Sequence, residues 1–175
     1  DGYKFAGGIR SVVGMAWNPT DNNLYLVMNG IDNFHTLFPN KYTSWQAAVL
    51  PAESLIKVKD GSDFGWPYAY FDQMLGKNML EPGYGGDGKT VGRAAKFDVP
   101  VMGFPGHWAP MDLLFYQGNQ FPERYKKGAF IAFHGSTDRS PYPQAGYIVC
   151  FAPFENGKPT GRYEVFADGF TGVDT

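Results

Sequence analysis

Short apolar runs that end in polar residues and glycine recur along this chain and predict β-strands joined by tight turns. Residues 129–133 form an uninterrupted apolar run, long enough for one buried strand, and the polar loop 134–140 follows at once. The run 24–28 is closed in the same way by Asn29 and Gly30. Because strands hold position while loops carry chemistry, both loops are candidates for a site. The two copies of the pattern also indicate an internal repeat.

The predicted strands follow the same plan in both halves of the chain. In the first half, turn-forming residues separate two predicted strands, 12–17 and 24–28. A third strand is predicted at 54–59, and the aromatic-rich stretch 64–70 is predicted to continue it. The second half has predicted strands at 111–116, 129–134, 146–153 and 162–167. The remaining segments are predicted as connections: 30–51, the excursion or long loop 73–98, and 117–128 with one helical turn.

Repeated four-stranded meanders are typical of β-propeller blades, with a β-sandwich as the alternative. The repeat and the 17% aromatic content favour the propeller. Two blades cannot close a ring, because propellers have about four or more. We therefore predict an all-β fold that is part of a larger propeller, with about two to three blades in this chain. The prediction is one partial domain over residues 1–175, with blade-like repeats at 8–100 and 101–170.

Composition and charge narrow the classes of function. Hydrophobic residues make up 43% and charged residues 18%, which indicates a folded core. The net charge of -2 argues against a nucleic-acid partner or an anionic membrane surface. No apolar run approaches the roughly 20 residues that cross a membrane. The single cysteine, Cys150, lies in an apolar run and is predicted to be buried. The chain begins without Met, which we interpret as a fragment or a processed product.

The meander topology predicts that several polar segments lie on one face. In such a sheet, the loop entering the first strand and the loop leaving the second lie at the same end. This places Arg10 with Ser11, residues 29–33, His107 and residues 134–139 together.

The side chains predicted on that face allow more than one role. Arg10 and Arg139 would suit an anionic ligand, although each could instead pair with a local Asp or cap a loop carbonyl. His134 or His107 could serve as a general base or as a hydrogen-bonded structural residue, and His35 is interpreted as structural. The carbonyls around Gly30 could face a hard cation such as Ca²⁺. The sequence has no Walker loop, dinucleotide fingerprint, serine elbow or zinc spacing.

An ordered set of short motifs resembles the pyrroloquinoline-quinone (PQQ) dependent sugar dehydrogenases, and within them the L-sorbosone and aldose sugar dehydrogenase branch. The motifs span nearly the whole chain and are residues 8–19, 51–55, 65–68, 107–110, 121–122, 128–130, 134–140 and 153–159. No single motif is decisive, but the ordered set is fairly specific. The resemblance implies a six-bladed propeller that carries PQQ and Ca²⁺ on one face, which is the kind of face that the topology predicts.

The resemblance also implies roles for individual residues. The cofactor-binding residues would be Arg10, Ser11, Gly30, Ile31, His134, Thr137, Asp138 and Arg139. The carbonyls of Gly30 and Ile31 would hold the Ca²⁺ of the cofactor, and Glu53, Tyr70 and Asp72 fall near the structural Ca²⁺ site of the family. The chain departs from the family in two places. Ser11 stands where the family usually has Asn, and Thr137-Asp138 stands where it usually has Trp-Asn.

The function implied by the resemblance is oxidation of an aldose or related sugar by a secreted or periplasmic quinoprotein. Electrons would pass to an external acceptor such as a cytochrome or a dye, and the remaining blades of the parent chain would be partners. The general-base His of the family would lie upstream of this chain, so the chain alone is expected to be inactive. Two alternatives stay open. One is a propeller without cofactor that binds carbohydrate or protein, suggested by Thr137 and Asp138; the other is a Ca²⁺-dependent lactonase, which needs clustered carboxylates.

Overall fold

Two antiparallel sheets dominate the computed structural model, which describes residues 2–136 and 138–171. The strands, in chain order, are β1 (Ala6–Gly7), β2 (Ser11–Asn18), β3 (Asn23–Asn29), β4 (Glu53–Val58), β5 (Ser62–Asp63), β6 (Ala69–Asp72), β7 (Lys77–Leu80), β8 (Met102–Phe104), β9 (Pro110–Leu114), β10 (Gly128–Phe133), β11 (Val149–Glu155), β12 (Lys158–Pro159) and β13 (Glu164–Ala167). The α-helices are α1 (Phe34–Leu37) and α2 (Ser44–Ala47), and 3-10 helices cover Pro82–Tyr84, Gly92–Lys96 and Glu123–Lys126. None of the helices in the described part of the chain is long and apolar enough to cross a membrane.

Each large sheet is an up-and-down meander, as predicted. The first sheet has the order β2-β3-β4-β8, and its first hairpin pairs Ser11 with Asn29 at the open end. The second has β9, β10 and β11 side by side, with β13 pairing β11 and the short β12 pairing the end of β11. Both meanders are antiparallel throughout, which confirms the all-β prediction.

The connections contain more structure than predicted. The last strand of the first sheet is β8, which was not predicted because it has three residues with Gly103 at its centre, too short for an alternating signal. The stretch 64–70 does not continue that sheet. Its last two residues belong to β6, which pairs with β7 in a separate hairpin, and β7 lies inside the predicted long loop 73–98. The connection 30–51 contains α1 and α2, and the helical turn predicted in 117–128 is present. The division of the chain into repeats at 8–100 and 101–170 stays a prediction. The strand β8 belongs to the first sheet but lies just after residue 100, where the first predicted repeat ends.

The main core lies between the two sheets. Alternate residues of β3, Tyr25 and Val27, pack against the second sheet, whereas Leu26 packs on the other side of its own sheet. The second sheet contributes Ile131 and the fully buried Cys150, whose burial was predicted. Three rings, of Tyr25, Phe115 and Phe154, meet edge to face at centroid distances of 5.2 to 5.7 Å. Packing from both sheets therefore fixes how they lie against each other.

A glycine allows the first strands of the two sheets to touch. A Cβ at the buried Gly14 of β2 would lie 2.6 Å from the Cα of Asp112 in β9, closer than real side chains come. The backbones of β2 and β9 are thus in direct contact. Their close approach brings together the loops at the ends of both hairpins, β2-β3 and β9-β10.

Candidate functional site

An open cleft of about 520 Å³ lies where the two hairpins meet. Its wall comes from the start of β2, the end of β3, the segment before β9 and the loop after β10. The lining residues are Arg10, Ser11, Val13, Asn29, Gly30, Asp32, Glu53, His107, Ala109, Met111, His134, Gly135, Ser136, Asp138 and Tyr147. The meander topology predicted that these segments share one face, and the structure brings five of the predicted cofactor residues into one cleft: Arg10, Ser11, Gly30, His134 and Asp138.

The guanidinium of Arg10 is held at the carbonyl end of β3. Its Nη1 donates to the carbonyl of Asn29 at 3.3 Å and to the carbonyl of Gly30. The guanidinium carbon also lies 5.5 Å from the centre of the Trp66 ring, within the range of a cation–π contact. Arg10 therefore supplies a half-buried positive charge to the cleft.

A buried carboxylate lies under the cleft and joins the two sheets. Glu53, which is 3% exposed, accepts the backbone N–H of Gly30 at 2.9 Å and that of Ala109 at 3.4 Å. Burial raises the pKa of Glu53, and the two N–H groups partly offset this effect. Glu53 thus fixes the Gly30 peptide and the entry to β9 at the same time.

His107 is a second buried link across the site. Its Nδ1 lies 2.9 Å from Asp32 Oδ1, and its Nε2 lies 2.7 Å from the Ala47 carbonyl of α2. Both nitrogens face acceptors, and a protonated ring donates to both of them at once. Burial opposes this charge, but the hydrogen bonds to Asp32 and Ala47 raise the pKa of His107, and the bond from His107 lowers the pKa of Asp32. His107 is therefore a hydrogen-bonded structural residue here, one of the two roles that the sequence left open.

The loop after β10 presents some of its predicted residues to the cleft and not others. His134 is exposed, with its Nδ1 2.9 Å from the Gly135 carbonyl, and Asp138 is exposed, with its N–H donating to Ser136. Arg139 does not line the cleft; its Nε donates to the Pro143 carbonyl at 3.2 Å. Burial lowers the pKa of the Arg139 guanidinium. Thr137, also predicted as a cofactor contact, lies outside the described residues.

The residues predicted to bind metal are differently placed. Ile31 and Tyr70 line a small cavity of about 30 Å³ beside Gly30, and the Tyr70 hydroxyl lies 3.0 Å from that of Tyr42. Asp72 Oδ1 accepts the N–H groups of Met74 and Leu75 and so closes the β6-β7 turn. Only Glu53 of the predicted acidic set lines the cleft. Across residues 2–136 and 138–171, no three His, Cys, Asp or Glu side chains group so as to hold a metal.

Three contributions to the cleft were not predicted in their observed roles. Asp32 lies in the segment 29–33 that was predicted on this face, but its bond to His107, 75 residues away, was not predicted. The Asn29 side chain donates to the Pro110 carbonyl at 3.2 Å and ties the two sheets together. The backbone at His107 and Ala109 has φ of 65° and 51°, a left-handed conformation that no glycine or asparagine signals.

The chain was compared with known protein families and with individual proteins. The sequence profile described as TrAA12-like matches residues 1–171. A protein of Borreliella burgdorferi described only as uncharacterized is 32% identical over 166 residues, which is 94% of this chain and 38% of the relative. The protein of Hypocrea jecorina called pyrroloquinoline quinone-dependent sugar dehydrogenase is 25% identical over 172 residues, covering 91% of this chain and 36% of the relative.

A solved structure agrees in fold. The iodide structure of the Trichoderma reesei Carbohydrate-Active Enzymes Family AA12 protein superposes with a TM-score of 0.66 at 26% identity, over 88% of this chain and 40% of that one. This confirms the prediction that the chain is part of a β-propeller. The chain spans less than half the length of each of these proteins.

Proposed function

This chain belongs to the TrAA12-like family, and from that premise we propose that it forms part of a quinoprotein that oxidises an aldose or a related sugar. The name of the Hypocrea jecorina relative and the carbohydrate-active family of the solved structure support this reaction class. The observation that carries the proposal is the cleft, which gathers Arg10, Gly30 and His134 from three separate loops.

The residues present in the cleft fit a quinone that carries carboxylates together with a hard cation. Arg10 offers a guanidinium suited to carboxylates, and the carbonyls of Asn29 and Gly30 are oxygen donors suited to Ca²⁺. The opening of about 520 Å³ has the size of a cofactor site. Bound in such a site, PQQ supplies the electron-accepting chemistry of sugar oxidation.

The side chains of this chain would bind and orient rather than transfer protons. Arg10 would anchor the anionic cofactor, and Glu53 would keep the Gly30 peptide in place beneath it. Both ring nitrogens of His107 are occupied by Asp32 and the Ala47 carbonyl, so neither is free to accept a substrate proton. The exposed His134 and Ser136 would bound the cleft on the side of the second sheet. We propose that the general base comes from outside residues 1–175.

The partners and location follow from the same proposal. The sugar and an external electron acceptor, such as a cytochrome or a dye, would approach the open side of the cleft. The remaining blades of the parent protein would complete the ring, and the protein would act in the periplasm or after secretion.

One structural observation favours a second candidate, a propeller that binds carbohydrate or protein without cofactor. Asp138 places a carboxylate in the cleft, whereas Arg139, a predicted partner for the quinone, lies outside it. A negative charge beside an anionic quinone weakens its binding. The lactonase alternative gains no such support, because the described residues hold no cluster of carboxylates for its metal.

The test is a titration of the full-length protein with PQQ and Ca²⁺, followed by cofactor absorbance and by sugar-dependent reduction of a dye. Saturable binding with turnover supports the quinoprotein. Absence of binding at high cofactor concentration rejects it and leaves the binding module. If the protein binds PQQ but Arg10→Ala leaves the affinity unchanged, the assignment of the cleft is wrong.

A further inference from the structure

A second cavity, of about 190 Å³, adjoins the cleft, because Asp138 lines both of them. We call this cavity the side groove. Its wall comes from α1 with the residue before it, from α2 and from the loop after β10. The polar residues of that wall are Asn33, His35, Thr36, Ser44, Asp138 and Ser140. The buried Ala47 and Ala48 complete the lining. A ligand in the cleft that extends past Asp138 therefore reaches a second set of polar groups.

The imidazole of His107 ties the side groove to the cleft. Its Nδ1 lies 2.9 Å from Oδ1 of Asp32, which lines the cleft, and its Nε2 lies 2.7 Å from the carbonyl of Ala47, which lines the side groove. The ring is buried between the two cavities. A buried bridge with a hydrogen bond on each side holds the two cavities at a fixed separation, so one ligand can occupy both at once.

Two exposed aromatic side chains come from the same two segments as the side groove. Trp45 follows Ser44 in α2, and Tyr142 lies two residues after Ser140. Their rings meet edge to face, with centroids 4.8 Å apart and an angle of 80° between the ring planes. Even so, Trp45 is 53% exposed and Tyr142 is 39% exposed. An edge-to-face contact covers only one face of one ring, so flat aromatic surface stays open to a ligand.

Flat aromatic surface beside small polar groups suits a sugar ring. The C–H bonds on the face of a pyranose pack against the negative face of an aromatic ring, and its hydroxyls need donors and acceptors at the same time. The hydroxyls of Thr36 and Ser44 can do both, and the Asn33 side chain, which makes no capping hydrogen bond to α1, supplies an amide. Of the described residues that line the side groove, none is Lys or Arg, so an anionic ligand has no partner there.

We propose that the side groove, together with Trp45 and Tyr142, is a subsite for a second sugar ring, so that the ligand is an oligosaccharide whose terminal ring lies in the cleft. This inference rests on the proposed function for the class of ligand, since that function brings a sugar to the cleft. It adds the length of the sugar, because a monosaccharide in the cleft leaves the aromatic pair unused. Stacking on Trp45 and hydrogen bonds to Thr36 and Ser44 hold the second ring.

The experiment measures sugar binding to the full-length protein without quinone, by titration calorimetry. Cellotriose is the probe, because its rings carry equatorial hydroxyls and expose C–H bonds on both faces, and glucose is the single-ring comparison. Cellotriose should bind about tenfold more tightly than glucose. Trp45→Leu removes the flat ring but keeps an apolar side chain, and it should weaken cellotriose binding by about tenfold, whereas Trp45→Phe keeps a ring and should weaken it by less than about threefold.

Two further variants complete the set. Thr36→Val removes one hydroxyl with little change of shape and should weaken cellotriose binding by about fivefold, the effect of one lost hydrogen bond. Tyr84→Ala removes an aromatic ring that is 46% exposed but lies in another part of the chain, and it should leave the affinity for cellotriose unchanged. With quinone present, Trp45→Leu should lower the ratio of kcat/KM for cellotriose to kcat/KM for glucose by about tenfold.

The outcomes separate this subsite from the proposed function. A protein that binds cellotriose through Trp45 but never binds PQQ supports the subsite and rejects the quinoprotein. A protein that oxidises glucose with PQQ but binds cellotriose no more tightly than glucose overturns the subsite and leaves the quinoprotein in place. Equal affinity of the wild type and Trp45→Leu for cellotriose also overturns the subsite. Urea unfolding of each variant guards against a folding defect, and the retained binding of Trp45→Phe does so independently.

Discussion

Glu53 accepts the backbone N–H of Gly30 at 2.9 Å, so a buried carboxylate of β4 fixes the peptide that ends β3. The same carboxylate reaches the N–H of Ala109 at the entrance to the second sheet. Glu53 thus forms the floor of the cleft and accepts one backbone N–H group from the side of each sheet. This arrangement makes Glu53 a positioning residue, and it can be tested apart from any cofactor.

Replacing Glu53 with Gln should destabilise the fold by about 1–3 kcal/mol. Glutamine has nearly the same shape, but its amide NH₂ would face a backbone N–H, so that one of the two buried donors loses its acceptor. The measurement is urea unfolding at pH 7. Glu123→Gln, which alters an exposed carboxylate, is the matched control and should leave stability nearly unchanged. Equal stability of the wild type and Glu53→Gln would remove Glu53 from the link between the sheets.

Gly14→Ala should separate the first strands of the two sheets. The added Cβ would lie 2.6 Å from the Asp112 Cα, and neither backbone can move without disturbing its own sheet. We expect a loss of about 1–3 kcal/mol in the free energy of unfolding, in the range of overpacked cores. Gly2→Ala, where the new methyl meets nothing within 4 Å, is the control. A Gly14→Ala protein that is as stable as wild type would show that β2 and β9 are not in direct contact.

Cys150 should react with iodoacetamide only after unfolding. Burial raises the pKa of its thiol to about 12, against an ordinary value near 9. The reactive thiolate is therefore about a thousandfold rarer at pH 8, and the side chain is also sealed from the reagent. Mass spectrometry should find no adduct in the native protein and one adduct in 8 M urea, since the chain has one cysteine. Stoichiometric labelling of the native protein would contradict the burial of β11.

Asp21 should make the stability of the protein depend on acid. Burial opposes its charge, but hydrogen bonds from Lys57 at 2.7 Å and from Tyr25 at 2.8 Å lower the pKa of Asp21 below its ordinary value. A lowered pKa in the folded state means that this stabilisation is present above about pH 4 and is lost as the pH falls through the folded pKa.

The variant Asp21→Asn isolates this effect. It should lose about 1–3 kcal/mol relative to wild type at pH 7 and progressively less below about pH 4, measured by urea unfolding at several pH values. Asp168→Asn, at an exposed position just after β13, is the control and should change stability little at any of these pH values. A difference between wild type and Asp21→Asn that stays constant down to pH 3 would show that Asp21 is not the titrating group.

The sequence was informative about topology and less so about contacts. Short apolar runs closed by Asn29-Gly30 and by Gly135 were enough to predict two meanders and the face on which their loops meet. The pattern did not decide between the roles open to Arg139, whose side chain bonds to a carbonyl of its own loop, because a polar residue in a loop has no period. The role of Glu53 depends on two N–H groups from distant segments, and only the packed structure brings those together.

Because the cleft draws its wall from residue 10 through residue 147, it does not exist until both meanders have formed and docked. During synthesis, a nascent chain with only the first sheet outside the ribosome lacks Ala109, His107 and the whole loop after β10. Any ligand of this cleft can therefore bind only after the two sheets have docked. A ligand that binds only the docked pair of sheets stabilises that pair by mass action.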